Sequence, residues 1–278
     1  MHTLADLFAD YQLARRMRQG SIYQIGRTIA LFEQFLGRDG KSGDLNAESV
    51  NRWLEQLERR YSQRTVAGHR VNLLSIWRDA ADRGICHGPA RVRKVPRPAP
   101  MPVAWTLDEL SRLMRVAESF QGTLPSGASK ALYFSTLLAA AYDTGLRRSD
   151  LWSLRRDQIL PNGTIAIVQR KTATPHFPSL RPETLAKLQR LPGDTPLKWH
   201  GDERRFYDEW RSMLVIADVR EGALQRVRRT GATAVMLATR NPEHVRLYLG
   251  HSTHQMQRHY VDQSLLGGHG ILPPAMNQ

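Results

Sequence analysis

The sequence has a single cysteine, little lysine and no long apolar run. Because Cys86 has no second cysteine to pair with, a disulfide framework and a cysteine-based zinc cluster are excluded within one chain, and a reducing compartment is favoured. No apolar run reaches bilayer-spanning length, and the first residues lack the apolar centre of a secretion signal, so neither membrane insertion nor secretion is expected. The pattern GxxxxGK[ST] is absent as well, which excludes a P-loop nucleotide site.

What the chain does have is positive charge, most of it arginine. It carries 40 basic and 26 acidic residues, and only six of the basic ones are lysine. The excess is spread evenly, with 17 basic against 10 acidic residues in 1–103 and 23 against 16 in 104–278. Two cationic halves are expected when both lie on a polyanion, and the planar fork of arginine fits phosphate oxygens. The charge favours nucleic acid as partner, with a basic ribosome-associated factor as the alternative.

Proline marks the boundary between two predicted domains. Four prolines alternate with other residues in the stretch 94–103, which predicts a semi-rigid linker. Residues 1–93 show helical periodicity in four segments, and capping residues are expected at Ser21, Asn46 and Ser62. The first domain is therefore predicted to be a small helical bundle.

The second predicted domain, 104–278, is helical with one exception. Thr106 and Glu109 have the spacing of a capping box, and an apolar helix ending at Gly145 should be central. The segment TIAIVQ alternates in polarity and is followed by a turn, which predicts a β-hairpin. The predicted fold class is therefore mainly α with a small β-sheet, in two domains.

Three segments of the second half form an ordered series of motifs. They read TGLRRSDLWSLRRDQI (144–159), LQRVRRTGATA (224–234) and YLGHSTHQMQRHYVD (248–262). In this order they resemble the tyrosine recombinases, the phage integrase family. The resemblance covers the region from 104 to 265, and the hairpin between the first two segments matches the element that carries the family's lysine. It implies these site residues: Arg147, Asp150, Lys171, Arg228, His251 and Tyr260.

Each of these residue types suits phosphodiester cleavage. Arg147 and Arg228 can bind the two nonbridging oxygens of one phosphate, and Tyr260 can attack the phosphorus. Lys171 on the hairpin can protonate the departing 5′-oxygen, and His251 can hydrogen-bond the phosphate or assist proton movement. Asp150 is expected to orient its neighbours without acting as the base. No step requires a metal ion, ATP or another cofactor.

The chain departs from the family pattern at one position. The residue three before the second arginine is usually histidine, and here it is Gln225. Glutamine can hold an oxygen but cannot shuttle a proton near neutral pH. The position after Arg228, often histidine, is Arg229, which is a further candidate for DNA contact. Slower cleavage, or proton transfer through His251 and water, is the hypothesis that follows.

Each of these residues also has a purely structural explanation. Taken alone, Arg147 could bind the carbonyls at a helix end, and Arg228 could belong to a solvated cationic face. Only the joint order and spacing of the motifs favour a catalytic role. Tyr248 is a rival nucleophile, but it lies in an apolar stripe and is predicted to be core. Four histidines between 244 and 259 lack accompanying cysteines or carboxylates, so zinc is not expected.

The resemblance implies a site-specific recombinase that cuts and rejoins double-stranded DNA through a 3′-phosphotyrosyl intermediate. It also implies a C-shaped clamp of a helical core-binding domain and a catalytic domain, a tetramer on two DNA sites, accessory DNA-bending partners, and a bacterial or phage-host cytoplasm. DNA contacts in the first domain are expected from Gln63, Arg64, His69 and Arg70. The alternatives are a type IB topoisomerase-like enzyme and a non-catalytic DNA-binding regulator.

Overall fold

Helices make up almost all of the regular structure in the computed structural model, which describes residues 2–98, 101–250 and 260–261. The chain divides into two compact units, Met1–Ala99 and Pro100–Gln278. Each unit has its own buried core. None of the described helices is long and apolar enough to cross a membrane.

Four helices form the first unit. They are α1 (Leu4–Leu13), α2 (Gln19–Leu36), α3 (Ala47–Glu58) and α4 (Gln63–Asp82). Helix α4 packs against the other three. Phe32 of α2 and Trp53 of α3 meet edge to face with ring centroids 5.2 Å apart, and both are fully buried. Truncating either ring to alanine would cost about 3–5 kcal/mol, so this pair contributes strongly to the core between α2 and α3.

The predicted helix starts hold at two positions and fail at one. The side chains of Asn46 and Ser62 each accept a hydrogen bond from the backbone N–H three residues on, as a helix cap does. The cap predicted at Ser21 is wrong, because α2 begins two residues earlier. There the Arg18 carbonyl accepts a hydrogen bond from the Ser21 backbone N–H, which places Ser21 inside the first turn.

The first part of the predicted linker lies on the first unit. The Arg70 guanidinium of α4 donates to the Arg93 carbonyl at 2.7 Å, immediately before the stretch 94–103. Arg64, also on α4, donates to the Pro98 carbonyl at 3.4 Å. Side chains of α4 therefore supply the hydrogen bonds that a proline-rich backbone cannot make for itself.

The second unit is built around α6. Its elements are α5 (Leu107–Ser119), α6 (Lys130–Thr144), α7 (Arg148–Trp152), β1 (Ile167–Val168), β2 (Pro175–His176), α8 (Pro182–Gln189), α9 (Glu203–Ile216), α10 (Gln225–Thr239) and α11 (Pro242–Leu249). Helix α6 contacts α5, α7, α8 and α10, and it is buried along most of its length, as predicted. It ends at Gly145, whose φ of 60° lies in the left-handed region that glycine tolerates.

Helix α10 is tied to the start of the unit. The Trp105 backbone N–H donates to the Thr230 hydroxyl of α10 at 3.0 Å, and its indole N–H donates to the Arg220 carbonyl at 2.9 Å. The Arg220 guanidinium in turn donates to Glu109, which closes the predicted capping box with Thr106 at the start of α5. Thr230 lies two residues after Arg228, so its contact with Trp105 anchors α10 just past the arginine.

The predicted hairpin is present but shorter than its sequence pattern. Strands β1 and β2 pair antiparallel, with Ile167 opposite His176 and Val168 opposite Pro175. The ladder loses a bond at Pro178, because the Ile165 N–H donates to the Pro178 carbonyl at 2.7 Å and proline has no N–H to donate in return. Isolated bridges, one of them between Thr164 and Ser179, continue the pairing toward the base of the hairpin.

Candidate active site

Arg147 stands at the junction between α6 and α7. It follows the left-handed turn at Gly145 and is the N-cap residue of α7, although its side chain makes no capping hydrogen bond. The side chain turns inward and is 7% exposed. One of its terminal guanidinium nitrogens donates to the Gln169 side-chain oxygen at 2.5 Å. A buried guanidinium is costly unless it is hydrogen-bonded, so this contact fixes the direction of Arg147.

Arg228, in the first turn of α10, is fully buried. Its two terminal nitrogens donate to the carbonyls of Gly145 and Leu249, the latter at 2.9 Å. Burial, and then the nearby charge of Arg147, lowers the pKa of Arg228 to about 10. The group stays protonated at neutral pH, and the repulsion between the two cations shows that the guanidinium groups share one region.

The two arginines are joined by a chain of hydrogen bonds. The Gln169 amide nitrogen donates to the Leu249 carbonyl at 3.0 Å, and the same carbonyl accepts from Arg228. Gln169 also accepts from Arg147. Residues from α7, the hairpin, α10 and α11 therefore converge, and the sequence expectation that the two arginines meet agrees with this geometry.

Tyr260 lies in the same place. The centre of its ring is 5.0 Å from the central guanidinium carbon of Arg228, and the side chain is half-buried against Ala232, Val245 and Leu249. The phenol is thus next to one of the two guanidinium groups within the same chain. Tyr248, the rival nucleophile, is instead in the interior, where its hydroxyl donates to the Tyr142 carbonyl at 2.7 Å and burial raises its pKa.

Asp150 of α7 contacts the turn of the hairpin that carries Lys171. Asp150 is 3% exposed, and one carboxylate oxygen accepts from the Arg170 backbone N–H at 3.0 Å. Lys171 follows in the turn and is exposed. The carboxylate thereby holds the backbone next to Lys171 against α7.

The remaining candidates of this unit differ in position. Gln225 is half-buried as the first residue of α10, three residues before Arg228. Arg229 is half-buried, and its Nε has no hydrogen-bond partner among the residues described. His251 lies outside the described residues.

Four residues of the first unit are expected to contact DNA, and the structure exposes two of them and not the other two. Gln63 and Arg64 are exposed on α4. The expectation for His69 is wrong, because its ring is only 5% exposed and hydrogen-bonds the Thr28 hydroxyl at 2.9 Å inside the bundle. Burial, and then the charge of Arg27, lowers the pKa of His69. The guanidinium of Arg70 is half-buried and holds the carbonyl of Arg93 (above), so it is committed within the unit.

Gln169 and His176 belong to the site but were missed by sequence reasoning. His176 is 6% exposed, and its Nε2 has no hydrogen-bond partner within the described part of the chain. Burial, and then the Arg228 charge, lowers the pKa of His176 to about 4, while a hydrogen bond to the Thr144 backbone acts in the opposite direction. Strand alternation was the available signal, because it puts both side chains on the inner face with Ile167.

The site has buried polar atoms that are not satisfied internally. Besides His176 Nε2, they include Arg147 Nε and one oxygen of Asp150, judged over the residues that the structure describes. Native proteins leave few such atoms, and functional sites are a common reason. The described residues contain no group of three or more metal-ligating side chains. Two convergent guanidinium groups beside a phenol can bind a phosphate diester and present a nucleophile to it.

Comparison with known proteins identifies the fold. No protein-family model and no curated protein sequence matches the chain. Among solved structures, a lambda integrase dimer bound to a COC' core site is 17% identical with a TM-score of 0.76, covering 99% of this chain and 100% of that one. The Tn1549 transposon integrase in complex with a circular intermediate DNA is 13% identical with a TM-score of 0.72, covering 94% and 95%. The XerH site-specific recombinase bound to its difH substrate is 14% identical with a TM-score of 0.67, covering 92% and 80%.

These matches confirm the predicted fold class. The chain has the tyrosine-recombinase fold, mainly helical with a small two-stranded sheet, and it matches the solved structures over almost its whole length.

Proposed function

We propose that the chain is a site-specific DNA recombinase that cuts and rejoins DNA through a covalent bond to Tyr260. The observation that carries the proposal is the position of the Tyr260 ring, 5.0 Å from the Arg228 guanidinium. Arg228 in turn shares a carbonyl acceptor with the Gln169 amide that holds Arg147. Solved structures of the same fold include a lambda integrase tetramer bound to a Holliday junction.

The chemistry follows from what each group can do. Arg147 and Arg228 offer N–H groups to the nonbridging oxygens of the scissile phosphate, and Arg147 can do so through its Nε, which has no partner among the described residues, while it keeps its contact with Gln169. The Tyr260 oxygen attacks phosphorus while the bond to the 5′-oxygen breaks, and the phenolic proton leaves to His251 or water. Lys171 gives a proton to the departing oxygen. The phosphotyrosyl bond conserves the energy of the original linkage, so a 5′-hydroxyl can reverse the reaction without ATP.

DNA binding is proposed for both units. Each half of the sequence carries an excess of arginine, and Gln63 and Arg64 are exposed on α4. Affinity from phosphate contacts should fall steeply with salt. A clamp of two domains, a tetramer on two sites, accessory DNA-bending proteins and a cytoplasmic, nucleoid-associated location all stay proposals that rest on the recombinase reading.

A suicide substrate tests the proposal directly. A duplex with a 5′-bridging phosphorothiolate at the cleaved position traps the covalent intermediate, because the thiol that leaves cannot religate. The full chain is expected to form a protein–DNA adduct, and Tyr260→Phe is expected to form none while binding the duplex as before. Tyr248→Phe is the matched control, since it removes the rival hydroxyl, which is bonded to the Tyr142 carbonyl, and should keep the adduct.

The outcomes also separate the two alternatives. Gln225, in place of the usual histidine, is the observation that favours a non-catalytic regulator. DNA binding without an adduct in any variant would support the regulator and refute the enzyme. An adduct and relaxation of supercoiled DNA, with no four-way junction on native gels from two-site substrates, would support a topoisomerase-like enzyme.

A further inference from the structure

Gln169 is the buried amide at the centre of the site, and none of the roles above is assigned to it. It is fully buried at the end of β1. Its side-chain oxygen accepts from Arg147 at 2.5 Å and from the Thr172 hydroxyl at 3.2 Å. Its amide nitrogen donates to the Leu249 carbonyl at 3.0 Å. The orientation of the amide is fixed, because a flipped amide would put NH₂ against the guanidinium and oxygen against the carbonyl.

The backbone of Gln169 closes the turn that carries Lys171. Its N–H donates to the Thr174 carbonyl at 2.9 Å, and its carbonyl accepts from the Ala173 N–H at 2.8 Å. The Thr172 hydroxyl, next to Lys171, bonds the Gln169 side chain. The turn from 169 to 174 is therefore held at both ends by one residue, and the position of Lys171 depends on it.

The same side chain connects this turn to the two arginines. Among the described residues, the side-chain acceptor of Arg147 is the Gln169 oxygen, and Arg228 shares the Leu249 carbonyl with the Gln169 nitrogen. An apolar side chain of equal length would leave the guanidinium of Arg147 without that acceptor in a buried place. A long arginine side chain has many rotamers, so it would lose its single orientation before phosphate arrives.

We propose that Gln169 is a positioning residue, whose amide holds Arg147 in register with Arg228 and with the turn that carries Lys171. The role rests on the proposed recombinase function. It acts through Arg147 and not on the phosphate itself, so it should speed cleavage and leave DNA affinity largely unchanged.

The test is single-turnover cleavage of the suicide substrate at saturating DNA, with the dissociation constant measured separately. Gln169→Met keeps the length of the side chain and removes its hydrogen bonds to Arg147, Thr172 and Leu249. We expect cleavage to slow about 10- to 100-fold, the scale on which small misplacements of reacting groups act, with affinity within about threefold of the wild type. Gln158→Met is the matched control: the Gln158 side chain caps a turn by accepting from the Arg155 backbone, and the variant should cleave at the wild-type rate.

A double-mutant cycle separates positioning from simple packing. If Gln169 acts through Arg147, then Gln169→Met should slow an Arg147→Lys protein much less than it slows the wild type. A packing role predicts the same fold-change in both backgrounds and would overturn the proposal. If Gln169→Met does not fold, Gln169→Asn is read in its place. Its amide is one methylene too short to bridge both partners, so a rate about tenfold below wild type is expected, and the wild-type rate would overturn the proposal.

The two proposals fail in different ways. A wild-type chain that forms no adduct overturns the recombinase function and the role of Gln169 with it. A wild-type chain that forms the adduct, together with a Gln169→Met variant that cleaves at the same rate, overturns the positioning role alone.

Discussion

His176 should make the second unit lose stability as the pH falls from neutral toward 4. Burial, and then the Arg228 charge, holds the pKa of His176 at about 4 in the folded chain, against 6.5 for a solvated histidine. Arg147 opposes protonation as well, whereas Asp150 and the Thr144 carbonyl favour it. Between pH 6.5 and 4 the unfolded chain therefore binds more protons than the folded one, so stability falls as pH falls through this window.

The magnitude follows from the size of the shift. Each pKa unit corresponds to about 1.4 kcal/mol, so the movement from 6.5 to about 4 is worth about 3 kcal/mol of unfolding free energy. The ring is only 6% exposed, so solvent screens its interaction with the arginines little. Below pH 4 the folded state takes up the proton too, and the contribution of this histidine levels off.

Urea unfolding at a series of pH values measures the effect. The wild type should lose about 3 kcal/mol more than His176→Leu between pH 7 and pH 4. Leucine fills a similar volume and cannot titrate, and at pH 7 the variant should cost about 1 kcal/mol because the Thr144 carbonyl loses a partner. His69→Leu, in the other unit, should leave the pH dependence of the second unit unchanged. Parallel stability curves for the wild type and His176→Leu would refute the reasoning.

Two further predictions concern α10. Gly231→Ala would put a methyl group 2.8 Å from the Tyr248 ring carbon that bears the hydroxyl, so the variant should be less stable by about 1–3 kcal/mol in thermal melts. The control is Gly68→Ala in α4, which has nothing near its added methyl group and should be more stable by about 0.5–1 kcal/mol. A stabilised Gly231→Ala would contradict the packing argument. Gln225→His restores a proton-transfer group three residues before Arg228, and it should raise the single-turnover cleavage rate at least about tenfold. An unchanged rate would mean that glutamine suffices there.

Much of the fold could be predicted from local sequence signals. The Thr106–Glu109 capping box and the glycine end of α6 at Gly145 each depend on hydrogen bonds within one turn, so the local sequence was enough to place them. The start of α2 was misplaced because a serine with glutamine three residues on fits a cap and equally fits a first helical turn. The helix begins after Arg18, and arginine is not a residue type that predicts a helix cap.

Some residues of the candidate site could likewise be predicted from the sequence, and others could not. Arg147, Arg228 and Tyr260 could be proposed because their segments keep a characteristic order along the chain. The burial of His69 could not be predicted, because the residue lies among polar neighbours on an amphipathic helix. Its hydrogen-bond partner in the core, Thr28, is 41 residues away in the sequence. Gln169 was hidden for a related reason, since its partners lie 22 and 80 residues away.

The energetics of the two arginines point to a binding role more than to a stabilising one. A fully buried guanidinium beside a second cation is costly, and replacing such groups by apolar ones of similar size often stabilises a protein. Arg228 nevertheless remains charged at neutral pH, with its pKa at about 10, and it donates hydrogen bonds to the backbone carbonyls of Gly145 and Leu249. Dipoles offset a full charge only partly, and the carboxylate of Asp150 acts on Arg228 against the like charge of Arg147. Under the recombinase function proposed above, a DNA phosphate would add negative charge beside the two guanidinium groups, and binding it would recover part of the free energy that folding spends on burying the arginines.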